Sequence, residues 1–133
     1  MNAERLTYLD SSAIVKLVTR EPESAALRRY VRRRRSLVTS ALARTEVARA
    51  LLPLGPEWMR SGRVLLEGIE VLRVSDRVLN AAGALLPVQL RSLDAIHLAT
   101  ARQLGTELAR VVTYDERMAA TARTLGLVVV SPA

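Results

Sequence analysis

The stretch Leu6-Thr7-Tyr8-Leu9-Asp10-Ser11-Ser12 reads as a short apolar strand with an acid at its end. Ser11 or Ser12 is then placed to cap the helix that follows. The pattern recurs at Arg110-Val111-Val112-Thr113-Tyr114-Asp115, where a carboxylate stands two residues beyond a second apolar run. Ser36-Leu37-Val38-Thr39, Ile69-Glu70-Val71-Leu72 and Leu127-Val128-Val129-Val130 bring the predicted strands to five. Between them, apolar residues recur at helical spacing, as in Leu27, Tyr30 and Val31, in Val47, Ala50 and Leu51, and in Leu93, Ile96, His97 and Ala101. Strands separated by helices require crossover connections, hence a parallel sheet covered on both faces. The Val-rich runs at 110–113 and 127–130 lack polar alternation, as strands buried on both sides do. Pro22, Pro53, Pro56, Gly105 and Gly126 fall at element boundaries, and no Asn-Gly or Asp-Gly hairpin signal occurs. With no repeat, linker or break in composition, residues 1–133 read as one α/β domain.

The chain has 133 residues, half of them hydrophobic and a quarter charged, enough to build a core without disulfides. Cysteine is absent, which excludes thiolate metal sites and cysteine nucleophiles. His97 is the one histidine, so a His-rich zinc site is excluded and any Ser-His-Asp triad rests on it alone. No apolar run approaches a membrane span, and Met1-Asn2-Ala3-Glu4 does not read as a secretory leader, so a soluble, cytoplasmic protein away from membranes is expected. The net charge is +7, carried by nineteen arginines and the single Lys16. Guanidinium forks suit phosphate, so the balance suggests a nucleic acid or an acidic protein partner. With no Phe, one Trp and three Tyr, base-stacking platforms are not expected, and contact with nucleic acid falls on the backbone.

Three of the four aspartates occupy positions that such a fold makes special. Asp10 ends the first strand, Asp115 follows the strand at 110–113, and Asp94 lies in the first turn of a helix over 92–104, where the helix dipole favours negative charge. Ligand sites of open parallel sheets form outside the carboxyl ends of strands, so these acids are expected to converge. Glu46 has Leu42, Ala43 and Ala50 as helical neighbours, an apolar flank where a lone charge is costly. It is either the fourth member of the cluster or half of a salt bridge with Arg49. Four carboxylates without cysteine form a hard oxygen site suited to Mg²⁺ or Mn²⁺. Their mutual repulsion raises pKa values and couples metal binding to stability. Outside the cluster nine acids face twenty bases, a basic body around an acidic cleft that suits a phosphodiester chain.

Leu9-Asp10-Ser11-Ser12-Ala13, Thr45-Glu46, Ser92-Leu93-Asp94-Ala95-Ile96-His97-Leu98-Ala99 and Thr113-Tyr114-Asp115-Glu116-Arg117-Met118 stand in the order and spacing of the PIN domain. More narrowly the chain resembles VapC-type toxins of bacterial type II toxin–antitoxin systems, over essentially its whole length and with no departure at an acidic position. The resemblance implies a single PIN domain, a three-layer sandwich whose central five-stranded parallel sheet is flanked by helices. It also implies Mg²⁺- or Mn²⁺-dependent endoribonuclease activity, a homodimer, and a cognate VapB-type antitoxin whose C-terminal segment occupies the cleft. Carried over by position, Asp10, Glu46, Asp94 and Asp115 are the metal-binding catalytic acids, Ser12 and Thr113 the supporting hydroxyls, and Glu116 a second acid of the last motif.

Other residues have plainer readings. In Arg28-Arg29-Tyr30-Val31-Arg32-Arg33-Arg34-Arg35, Leu27, Tyr30 and Val31 turn inward and the arginines spread outward. Arg28, Arg32, Arg33 and Arg35 form either a solvated face or a docking face for RNA or an acidic antitoxin segment. His97 lies one turn beyond Asp94 and could bond to it; packing at a helix–sheet contact is the reading adopted, outside the catalytic set. Trp58, Met59, Leu65 and Leu66, in a helix opened by Pro56, suit a core or an interface. A haloacid-dehalogenase-type phosphatase needs an Asp where Ser12 stands; P-loop, Rossmann and receiver folds fail for want of their glycines, early acidic pair or late lysine. A PIN module that binds RNA or protein without turnover, and a housekeeping RNA-processing nuclease, remain the alternatives.

Overall fold

A computed structural model of the chain describes residues 4–133; residues 1–3, the start of the stretch read above for a leader, lie outside it. Strands and helices alternate as β1 (Leu6–Leu9), α1 (Ser11–Val18), α2 (Ser24–Arg32), β2 (Leu37–Ser40), α3 (Leu42–Leu51), α4 (Pro56–Glu67), β3 (Glu70–Leu72), α5 (Asp76–Gly83), α6 (Ser92–Gln103), β4 (Leu108–Val112), α7 (Glu116–Thr124) and β5 (Val129–Val130). The sheet has the order β3-β2-β1-β4-β5, and every neighbouring pair is parallel. The chain builds outward from β1 in one direction, then returns to β4 on its other side. The strand order therefore reverses between β1 and β4, and a crevice opens above their carboxyl ends.

Alternate residues of the central strands feed two cores, as the period of a strand dictates. Leu9 and Val112 face one side, where they pack with Ala13 and Ile14 of α1, Leu27 of α2, and Val47 and Leu51 of α3. Tyr8, Val38 and Val111 face the other side, against Ala101 of α6. Beyond them α5 packs on α6 through Val78, Ala82, Ala95 and Ala99, and α7 through Leu98, Met118 and Ala122. Each fully buried Leu or Val contributes roughly 1.5–3 kcal/mol of burial free energy. Helices thus cover both faces, and the three-layer sandwich is as expected. Trp58, Met59, Leu65 and Leu66 pack against the first core, which favours their core reading. Gly62 lets α4 approach α3 closely: a Cβ there would lie 2.6 Å from Leu51 Cδ1. Among the described residues no helix is long and apolar enough to cross a membrane.

Boundaries differ from the sequence reading in small ways. β4 begins two residues early, at Leu108, and stops before Thr113. β5 shrinks to two residues at the sheet edge, with Val128 largely exposed rather than buried on both sides. The first helix is capped by Asp10 itself, whose Oδ1 accepts the Ala13 N–H at 2.9 Å; Ser11 and Ser12 are its first two helical residues.

Candidate active site

Four chain segments meet above the β1/β4 crevice. Asp10 and Asp115 cap α1 and α7, and Asp94 lies in the first turn of α6, so three helix N-termini point their dipoles at the same region. Glu46 reaches it from the middle of α3. Asp10, Glu46, Asp94 and Asp115 line one cavity of about 150 Å³ together with Ser11, Ser12, His97 and Met118.

Asp10 is almost fully buried and firmly held. Its Oδ1 accepts from Ser12 Oγ at 2.7 Å as well as from Ala13 N–H, and its Oδ2 accepts from Thr113 Oγ1 at 2.5 Å. The two hydroxyls also stitch the turn after β4: Ser12 Oγ accepts from Tyr114 N–H at 3.1 Å, and Thr113 Oγ1 from Asp115 N–H at 3.1 Å. Burial nonetheless pushes the Asp10 carboxyl above its ordinary range, against the pull of Thr113, Ser12, Ala13 and His97. Asp115 Oδ1 accepts from Met118 N–H at 3.0 Å.

Glu46 is held differently. Its Oε1 accepts from Ser11 Oγ at 2.6 Å and lies 2.6 Å from His97 Nε2. Burial pushes its pKa up, but the hydrogen bonds from His97 and Ser11 outweigh that and leave it below the ordinary range. The salt bridge with Arg49 considered from the sequence is not formed; the partner is His97. Likewise His97 bonds to Glu46 and Tyr8 rather than to Asp94. Among the described residues Asp94 accepts no hydrogen bond. Burial, then the charges of Asp115 and Glu46, raise its pKa, against His97 and Arg91.

The donor chemistry fits a divalent cation. Oxygen acceptors stay unengaged on Asp94, on Glu46 Oε2, on Asp115 Oδ2 and at one lone pair of Asp10 Oδ2. As these side chains stand, no three acidic or imidazole groups among the described residues close around a single point.

Two groups of sequence candidates lie elsewhere. Glu116 lines an adjoining groove with Tyr114, Asp115 and Arg123, not the four-acid cavity. The arginine run ends at the amino end of β2, opposite the carboxyl ends that carry the acids, so the structure does not bring Arg32, Arg33 and Arg35 to the cavity. Arg28 donates to Thr19 O at 2.8 Å, and Arg34 stacks over the Tyr30 ring at 3.8 Å. Conversely, sequence reasoning missed the roles of Ser11 and Tyr8 and read His97 as packing alone. The spacing of His97 from Asp94 was a signal; nothing local marked Tyr8.

Comparison with known proteins places the chain in a family. The model of the PIN domain matches residues 7–124, and the chain belongs to that family, within its VapC ribonuclease group. Ribonuclease VapC46 of Mycobacterium tuberculosis is 60% identical over 125 residues, covering 94% of this chain and 96% of that protein. Ribonuclease VapC47 of the same species is 39% identical over 132 residues, covering 96% and 97%. Among solved structures, VapC20 of M. tuberculosis, a sarcin–ricin loop cleaving toxin, superposes with a TM-score of 0.77 at 17% identity, covering 95% of this chain and 99% of that one. A toxin–antitoxin complex from Klebsiella pneumoniae gives 0.74 at 19% identity, covering 96% and 98%. Both carry the same fold.

Proposed function

We propose that this chain is a Mg²⁺- or Mn²⁺-dependent endoribonuclease and the toxin of a type II toxin–antitoxin pair. The observation that carries the reading is the convergence of Asp10, Glu46, Asp94 and Asp115 on one cavity, each with acceptor capacity left over. Asp94 and Asp115 offer the least encumbered oxygens. Asp10 contributes the one open lone pair of Oδ2, whose other lone pair takes the Thr113 hydroxyl, and Glu46 contributes Oε2 while Ser11 and His97 hold Oε1. A bound divalent ion supplies charge neutralisation at the scissile phosphate and lowers the pKa of an attacking water. Ser12 and Thr113 keep Asp10 oriented and tie it to the turn that presents Asp115. The cavity has room for an ion and its water rather than a nucleotide, so the RNA backbone lies across its mouth. There the basic body offsets phosphate charge.

The VapC ribonuclease relatives and the toxin–antitoxin complex among the structural neighbours support RNA as substrate and a VapB-type antitoxin as partner; the proposal further places the chain as a homodimer acting in the cytoplasm. The test is cleavage of total RNA by the purified protein with Mg²⁺, with Mn²⁺ and with EDTA, beside Asp94→Asn. Metal-dependent cleavage lost in Asp94→Asn is expected. Cleavage that persists in EDTA or in the variant refutes the reading, and binding without cleavage returns the chain to a non-catalytic module.

A further inference from the structure

Glu46 is the one acid of the four carried on the interior of a helix, at the end of a long side chain, yet it is tethered through a chain of buried contacts. Tyr8, on β1, is fully buried on the sheet face that α6 covers. Its phenol oxygen lies 2.7 Å from His97 Nδ1, and the two rings meet edge to face at 80°. His97, 2% exposed, presents Nε2 to Glu46 Oε1 at 2.6 Å. Ser11 Oγ closes the group, donating to the same Oε1. A strand and two helices on opposite sides of the sheet are thereby linked through three side chains.

The proton positions follow from chemistry. A carboxylate oxygen only accepts, so His97 carries a proton on Nε2, the nitrogen that faces Glu46; in a neutral ring Nδ1 is then bare and accepts the Tyr8 phenol O–H. Oε1 then accepts from both His97 and Ser11, and its two lone pairs are filled. Oε2 is left for a cation. Phe in place of Tyr8 removes one oxygen atom and frees the imidazole to turn or to move its proton to Nδ1, where Nε2 no longer donates.

We propose that Tyr8 and His97 are positioning residues: the Tyr8 hydroxyl fixes the imidazole that holds Glu46 Oε1, so that Oε2 is presented to the divalent ion. This rests on the nuclease reading above. A hydrogen-bonded histidine that orients a ligating carboxylate tunes metal affinity without touching the metal, and loss of such a partner costs about 10–100-fold.

The experiment measures the Mn²⁺ concentration that half-saturates the rise in melting temperature, for wild type, Tyr8→Phe, His97→Gln, His97→Leu and Val111→Ala. Val111→Ala, on the same buried face as Tyr8, controls for general loss of stability. The expected result is a half-saturation point about tenfold higher in Tyr8→Phe, with cleavage kcat restored at saturating Mn²⁺ and KM for RNA unchanged. Val111→Ala melts earlier but keeps the wild-type point. His97→Gln, which retains a donor toward Glu46, stays nearer wild type than His97→Leu. A wild-type Mn²⁺ response in Tyr8→Phe overturns the proposal; if that variant does not fold, equal responses of the two His97 variants overturn it. No Mn²⁺ response in the wild type itself refutes the metal reading, and the proposal with it.

Discussion

Thr113→Val is the sharpest probe of how the acid cluster is held. Thr113 is fully buried, and valine matches its shape while removing the hydroxyl. Two bonds go: the one donated to Asp10 Oδ2 and the one accepted from Asp115 N–H. A buried bond to a carboxylate is worth about 1.5–3 kcal/mol, and the amide bond about 1 kcal/mol more. The expected loss is about 3 kcal/mol, or roughly 10–15 °C in melting temperature for a chain of this size. Thr113→Ser keeps the hydroxyl and gives up one buried methyl, about 1 kcal/mol. The difference between the two depends on pH. Burial already holds the Asp10 carboxyl above its ordinary range, so its ionised form costs the fold stability. Without the Thr113 hydroxyl that cost deepens. The deficit is therefore full above the raised Asp10 pKa and shrinks as pH falls through it, because the folded carboxyl is then protonated in both variants. Urea denaturation of both variants at neutral and acidic pH reads this directly. Thr113→Val as stable as Thr113→Ser at neutral pH, or a deficit that grows on acidification, refutes the account.

Three further outcomes follow from the same geometry. Because burial and the neighbouring Asp115 and Glu46 raise the Asp94 pKa, its stabilising effect is complete only below the ordinary carboxylate range and is lost as pH rises through the raised value. Asp94→Asn at neutral pH should thus melt higher than the metal-free wild type while losing most of the metal-induced rise, worth about 2.7 kcal/mol at a hundredfold excess over Kd; a lower melting point without metal contradicts this. Gly83→Ala, where nothing lies within 4 Å of an added Cβ, should gain about 0.5–1 kcal/mol, whereas Gly62→Ala, pressed on Leu51, should gain nothing or lose about 1–2 kcal/mol; calorimetry of both checks the helix–helix contact. Reversing Arg32 and Arg33 to Glu should leave kcat for RNA cleavage at the wild-type value, since that end of the sheet lies opposite the cavity, and a fall in kcat would contradict that placement.

Much of the fold was legible because it rests on local pattern. Five apolar runs located five strands, and the helices between them required parallel order. The acids at strand ends located the crevice. Contacts between distant segments were not legible. Glu46 looked to Arg49, three residues on, because helical spacing is all a sequence offers. Its actual partner is 51 residues away, and Tyr8 meets His97 across 89. The Asp10 cap was misread for a related reason. Serine is an equally good cap, and only the turn of the backbone decides which side chain reaches the open N–H groups.

The choice of partners explains how four carboxylates share one cavity. Had the fold served only to bury these acids, arginines would be the cheapest neutralisers, and the chain has nineteen. Yet among the described residues none of the four acids pairs with Lys or Arg; Lys16 pairs with Glu21 and Glu23, and Glu46 is held by a hydrogen bond to His97. Asp10, Glu46 and Asp115 are oriented by hydroxyls, backbone N–H groups and one imidazole, which leave most of the negative charge in place. Burial, joined for Asp94 by the charges of Asp115 and Glu46, holds two of the four, Asp10 and Asp94, above their ordinary pKa range. Charge left uncompensated at the cost of stability is what a site needs if a mobile cation is to supply the neutralisation, because a fixed guanidinium would occupy the same oxygens and could not leave.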